Sequence, residues 1–305
     1  MVYDPAQHSE EEMLACFVDW GESRSDVHAI LLTSSRTVPG APLDVFSDYD
    51  IIVVVDDIYP YFSSREWLEA FGHVLVLYKD PILSTYGLDS FGYVTQYEDG
   101  LKIDFGLWQV ETLRRPVADP VLPPDFDLGY RILLDKIGLT AGMKLPSHRA
   151  YIPTPPSVEE YLTDIELFFH EATYVAKHLR RDDMMAAKYN LDYEMKHHNL
   201  RKMLEWEIET EHDWSVKTGS YGRGLKRLTR TEIWTELEAT YVGMGIEENW
   251  QAMWATIVLF RKLAISVGEA LGYAYPKELD ERMDRYLQNV RDYKMDADEN
   301  SVSKG

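Results

Sequence analysis

The spacing of apolar positions changes partway along the chain, from short runs interleaved with helical patterns to long helical stripes. Ser9 and Glu12 carry the signature of a capping box, and Met13, Cys16, Phe17 and Trp20 follow on one helical face, which predicts an opening helix. Residues 29–32 form a short buried strand that ends at Thr33-Ser34-Ser35. Residues 51–55 form a β-branched strand closed by Asp56-Asp57, and a third apolar run covers 73–78. Residues 91–98 and 101–108 flank Asp99-Gly100, which predicts a hairpin with a tight primed turn. Strands alternating with helices, plus a hairpin, predict a mixed sheet.

Prolines 116, 120, 123 and 124, then 146, 153, 155 and 156, punctuate the next stretch, which holds one helical segment over 130–139. The second proline cluster marks a boundary. Beyond it, Ser157 and Glu160 form another capping box, and Ile165, Phe168, Phe169, Ala172, Val175, Ala176 and Leu179 share a helical face. Further helical patterns cover 182–209, 230–243, 246–271 and 276–293, with Gly272 placed to end one helix and Pro276 to start the next. Trp234, Trp250 and Trp254 fall on apolar faces and read as core. The fold class predicted is α+β: a mixed-sheet domain over 1–150, proline-rich connector included, and a helical bundle over 151–293. A tail over 294–305 shows no apolar period and reads as flexible.

Charge narrows the function. The chain has 305 residues with 31 Lys and Arg against 52 Asp and Glu, a net charge of −21. A nucleic-acid reader needs a cationic surface for phosphate contacts, so no nucleic-acid partner is expected; this field concentrates small cations instead. No apolar run is long enough to span a membrane, so no membrane partner is expected either. The acidic start, 1–12, lacks the basic and apolar regions of a secretory signal, and the expected location is the cytoplasm. Cys16 is the sole cysteine, which excludes a disulfide framework.

The candidate chemistry lies in Asp48-Tyr49-Asp50, where a loop enters the 51–55 strand. Residues two apart on a strand share a face, so Asp48 and Asp50 present their carboxylates together. An all-oxygen donor set of this kind suits Mg²⁺, usually held by one or two acids plus substrate phosphates. Asp104 lies in a hairpin strand whose Ile103, Phe105 and Leu107 take the opposite, apolar face. Pairing of that strand beside 51–55 brings in a third acid. The turn Ser34-Ser35-Arg36 follows the first strand, with small residues that let backbone N–H groups approach a triphosphate.

At these residues the chain resembles the polymerase-β-like nucleotidyltransferases, whose pattern is Gly-Ser, a loop, Asp-x-Asp and a later third acid. Here the series reads Ser34-Ser35, twelve intervening residues, Asp48-Tyr49-Asp50, then Asp104. Over nearly its whole length it is similar to the aminoglycoside 6-adenylyltransferase family, the streptomycin-modifying kind. The segments that carry the likeness are 47–51, Leu134-Asp135-Lys136, Ala187-Lys188, 219–223 and 271–276. The resemblance implies ATP as co-substrate, one or two Mg²⁺ ions on Asp48, Asp50 and Asp104, and a cationic aminoglycoside as acceptor. Asp104 is then either a ligand of the second ion or the base that takes the hydroxyl proton. Ser34, Ser35 and Arg36 face the phosphates, with Lys188 as a further triphosphate contact. Asp192 and Glu194 are the candidate carboxylates for guanidinium groups; an ordinary Lys188–Asp192 surface pair is the competing reading. Ser34 stands where the family has glycine, and its hydroxyl either hinders the nucleotide or donates to it.

Overall fold

The computed structural model describes residues 9–293; the predicted tail lies outside the described residues. The chain divides into two compact units, residues 1–151 and 152–305.

In the first unit, α1 (Glu10–Glu22) starts on the Ser9/Glu12 capping box and buries Met13, Leu14, Phe17 and Trp20. The strands are β1 (Val27–Thr33), β2 (Tyr49–Val55), β3 (Val74–Lys79), β4 (Leu83–Thr85), β5 (Leu88–Tyr97), β6 (Lys102–Gln109) and β7 (Tyr130–Asp135). They form one mixed sheet in the order β3-β5-β6-β2-β1-β7, with β4 paired to β5. β2 runs parallel to β6 and antiparallel to β1. Alternation along the central strands separates two cores. On one face Ile51, Val53, Ile103, Phe105 and Leu107 pack with α1 and with an aromatic cluster from Trp67 and Phe71. Each such fully buried side chain contributes about 1.5–3 kcal/mol, so the register of β2 against β6 is firmly set. On the other face Ile52, Val54 and Trp108 join Leu113 of α3 (Val110–Ala118) and Phe126 of α4 (Pro124–Leu128). α2 (Tyr59–Ser63) is a single turn that buries Tyr61.

Two local predictions are corrected. Residues 130–135 are a strand paired antiparallel to β1, not a helix. Leu134 is gripped by the α1 side of the sheet, and hydrogen bonding to β1 outweighs a weak helical period. The helical pattern fails at Asp135, whose carboxylate accepts the N–H groups of Leu139 and Thr140. The hairpin at Asp99-Gly100 is also not a two-residue primed turn. Only Gly100 has positive φ there (101°), and Asp99 Oδ1 instead accepts the Leu101 N–H, closing a longer connection between β5 and β6.

The second unit is helical: α5 (Val158–Arg181), α6 (Met184–Lys188), α7 (Arg201–Glu211), α8 (Leu225–Leu228), α9 (Thr231–Glu238), α10 (Ile246–Leu271) and α11 (Lys277–Asp292). Phe168 of α5 stacks on Phe260 of α10 at 3.7 Å, and Arg261 ties α10 to α11 through two bonds to Asp280, at 2.5 and 2.6 Å. Trp250 is buried, while Trp234 and Trp254 pack on the same core. The uninterrupted helix predicted over 182–209 carries a long π-helical stretch, Tyr189–Leu200, between α6 and α7.

Candidate active site

Strand pairing assembles the site. Asp50 is the second residue of β2 and lies directly opposite Asp104 across the parallel β2–β6 ladder. Both project from the face that carries Ile52 and Val54, but beyond the end of that small core, so their carboxylates meet an opening rather than packed side chains. The adjoining cavity, of about 300 Å³, is lined by Asp50, Asp104, Thr33, Gly92, Trp108 and a further acid, Asp80. Gly92 is required there, because a Cβ would stand 2.7 Å from Asp80 Oδ2 and 3.1 Å from the Phe105 carbonyl.

Asp48 is carried by the loop just before β2. The loop is clamped by Arg36, whose Nε donates to the Asp48 carbonyl at 2.9 Å and whose Nη2 donates to the Ser47 carbonyl at 2.7 Å. Its remaining guanidinium nitrogen reaches Glu10 at 3.2 Å, and the plane lies over Tyr49, 3.8 Å from the ring centre. In the protein alone the Arg36 donors hold the Asp48 loop and reach Glu10. Ser34 opens a single 3₁₀ turn, Ser34–Thr37, at φ 63°, a conformation that favours glycine. Its side chain lies close enough to Asp50 to favour the charged carboxylate. Ser35 lies in the same turn, its carbonyl accepting the Val38 N–H.

Electrostatics mark the three acids as a unit short of positive charge. The Asp50 carboxyl is pushed up to about 6, first by burial, then by the negative charges of Asp104 and Asp48, against the pull of the Ser34 bond and of Lys102. Asp104 is also raised, by burial foremost, with Asp48 and Asp80 adding to it and Lys102 opposing. Its Oδ1 is buried without a hydrogen-bond partner. Lys102, which the sequence reading did not single out, bonds Asp48 Oδ2 at 2.6 Å and Asp104 Oδ2 at 3.0 Å. Burial works against its charge, yet those two bonds hold its pKa above the ordinary lysine range. Among the described residues no three acid, histidine or cysteine side chains enclose an ion by themselves. A site of two acids completed by substrate phosphates needs no such cage, and the unsatisfied Asp104 oxygen together with the charge deficit fits a divalent cation.

In the helical unit, Lys188 bonds Asp192 at 2.6 Å and donates to the Val242 carbonyl at 3.0 Å. The other Asp192 oxygen takes Lys196 at 2.7 Å, and Lys196 also donates to the Thr240 carbonyl at 2.5 Å from a side chain with no exposure. Lys188 and Asp192 thus form an i,i+4 ion pair, with Lys196, four residues beyond Asp192, as a buried third member. Glu194 accepts from Tyr189 Oη at 2.9 Å and pairs with His198 at 3.5 Å.

A mixed sheet with Asp-x-Asp at the mouth of one strand and a third acid in register on its parallel neighbour is the arrangement expected from the resemblance to nucleotidyltransferases. The family model for streptomycin adenylyltransferase matches residues 7–290. The aminoglycoside 6-adenylyltransferase of Bacillus subtilis (strain 168) is 30% identical over 285 residues, covering 92% of this chain and 98% of its own. That of Campylobacter jejuni is 25% identical over 281 residues, covering 92% and 94%. A crystal structure of an aminoglycoside 6-adenyltransferase from Bacillus subtilis aligns at 26% identity and a TM-score of 0.45, over 94% of this chain and all of that one. The chain belongs to the streptomycin adenylyltransferase family.

Proposed function

We propose that the protein transfers AMP from ATP to a hydroxyl of a cationic aminoglycoside, the 6-hydroxyl of streptomycin, and releases pyrophosphate. The observation that carries this reading is the alignment of Asp50 with Asp104, beside Asp48, in a site short of positive charge. Asp48 and Asp50, with Asp104, would hold Mg²⁺, which supplies charge neutralisation for the triphosphate and its leaving group. The protein's own residues supply placement. Arg36 fixes the Asp48 loop, Ser34 favours the charged Asp50 carboxylate, and the β2–β6 ladder fixes the distance between Asp50 and Asp104. Asp104, with its raised pKa and a free buried oxygen, is suited to take the proton of the attacking hydroxyl.

The acceptor assignment rests on the family and on charge. Three acids line the cavity of the first unit, and a polycationic antibiotic gains from that field where an anionic acceptor would lose. For the helical unit we propose acceptor contacts through Asp192 and Glu194, with Lys188 toward the nucleotide. The soluble cytoplasm remains the compartment proposed; among the described residues no helix is long and apolar enough to cross a membrane. A panel of aminoglycosides incubated with ATP and Mg²⁺, scored by pyrophosphate release, tests the reading. Release that depends on streptomycin supports it. Release with no aminoglycoside but with a protein acceptor would favour a nucleotidyltransferase of different purpose, and no release with any acceptor would favour a binding homologue.

A further inference from the structure

We propose that Lys102 is a built-in counter-ion of the carboxylate site, its ammonium bonded to both Asp48 and Asp104, so that a divalent cation held by these acids would have to compete with it. The inference rests on the metal-dependent reading above and concerns what that reading leaves unassigned. Lys102 precedes Asp104 by two residues on β6, so the pleat places both on one face and aims the ammonium at the site by construction. Its Nζ gathers one oxygen from β6 and one from the loop before β2, at 3.0 and 2.6 Å, which is how a bridging cation joins two acids from separate segments.

The contact is also incomplete in a way that an ordinary salt bridge is not. Lys102 brings one positive charge to Asp48 and Asp104, with Asp50 and Asp80 close enough to add to the negative field on Asp104 or share its cavity. It satisfies one Asp104 oxygen and leaves the other buried and without a partner. A divalent ion held by these acids would supply more charge than one ammonium, and it would repel an ammonium left close by. Lys102 therefore balances part of the charge that Asp48 and Asp104 bring together and sets a threshold that metal and nucleotide have to overcome.

The test is Mn²⁺ binding to the full-length, metal-stripped, nucleotide-free protein, read by the electron paramagnetic resonance signal of the free ion. Lys102→Met should bind Mn²⁺ about tenfold more tightly than wild type, the scale of removing one competing charge. Lys102→Arg, which retains the charge, should stay near wild type, and Lys102→Gln reports the same loss of charge as Lys102→Met should the latter not fold. In chelator, Lys102→Met should melt lower than wild type, and Mn²⁺ should restore it. Equal or weaker Mn²⁺ binding by Lys102→Met, alongside weakened binding by Asp50→Asn, would overturn the proposal while leaving the metal site standing. Mn²⁺ binding indifferent to Asp50→Asn would overturn the metal reading and the proposal together.

Discussion

Asp50→Asn should abolish turnover and at the same time stabilise the metal-free protein. The side chain keeps its volume but loses a charge that the fold accommodates poorly. Its carboxyl is raised from 3.8 to about 6 by burial and by Asp104 and Asp48, a shift worth roughly 3 kcal/mol of native-state cost once the group is ionised. The sign follows from the raised value: well below the ordinary 3.8 the carboxyl is neutral in both states and costs nothing, and stability is lost as pH rises from there through about 6. Asparagine cannot ionise, so it removes this loss, less whatever the Ser34 bond gave the charged form. A net gain of roughly 1–2 kcal/mol would raise the melting temperature of a unit this size by a few degrees. Thermal melts in chelator at pH 4 and 7.5 should show wild type and Asp50→Asn close together at the lower pH and the mutant clearly further ahead at the higher. Pyrophosphate release should fall at least about a hundredfold, the scale of losing a principal electrostatic group. A mutant with near-normal turnover, or one whose stability difference is the same at both pH values, would refute the assignment of Asp50 as a charge-strained metal ligand.

Asp104→Asn should stop turnover as completely, and calorimetric titration with ATP and Mg²⁺ separates its roles: retained binding makes it the base, lost binding makes it chiefly a ligand. Arg36→Met removes charged donors from the Ser47 and Asp48 carbonyls; it should destabilise by roughly 1–3 kcal/mol in urea unfolding and lower kcat without relocating the pH profile, whereas unchanged stability would deny the clamp. Asp192→Ala should lose about 3–5 kcal/mol because it strands the buried Lys196 ammonium. A contact with the antibiotic is better read in Asp192→Asn, which should raise the streptomycin KM more than the ATP KM, and an unchanged streptomycin KM would remove Asp192 from the acceptor site.

What the sequence revealed and what it hid have physical causes. β-Branched residues at 51–55 and the alternation of Ile103, Phe105 and Leu107 against Asp104 are local signals, and burial made them decisive. That the two strands are parallel neighbours, with Asp50 opposite Asp104, is a long-range fact that no local pattern encodes. Residues 130–135 misled because an edge strand with one half-buried face shows little alternation. Lys102 went unnoticed since a lysine on an outer strand face looks like solvent decoration until the partner strand arrives. The bonds from Arg36 to the loop carbonyls and its place over the Tyr49 ring depend on residues 11 to 13 positions away, which no local pattern encodes. Lys196 was hidden because burial is not anticipated for a lysine and its partner Thr240 is remote in sequence.

The most direct test of the account is the product formed from streptomycin, ATP and Mg²⁺ by wild type and by Asp50→Asn, analysed by mass spectrometry and by NMR of the modified ring. The account predicts one AMP per antibiotic molecule at the 6-hydroxyl, one pyrophosphate released for each, and no product from the mutant. Unmodified streptomycin in the wild-type reaction, or the same product from Asp50→Asn, would contradict it.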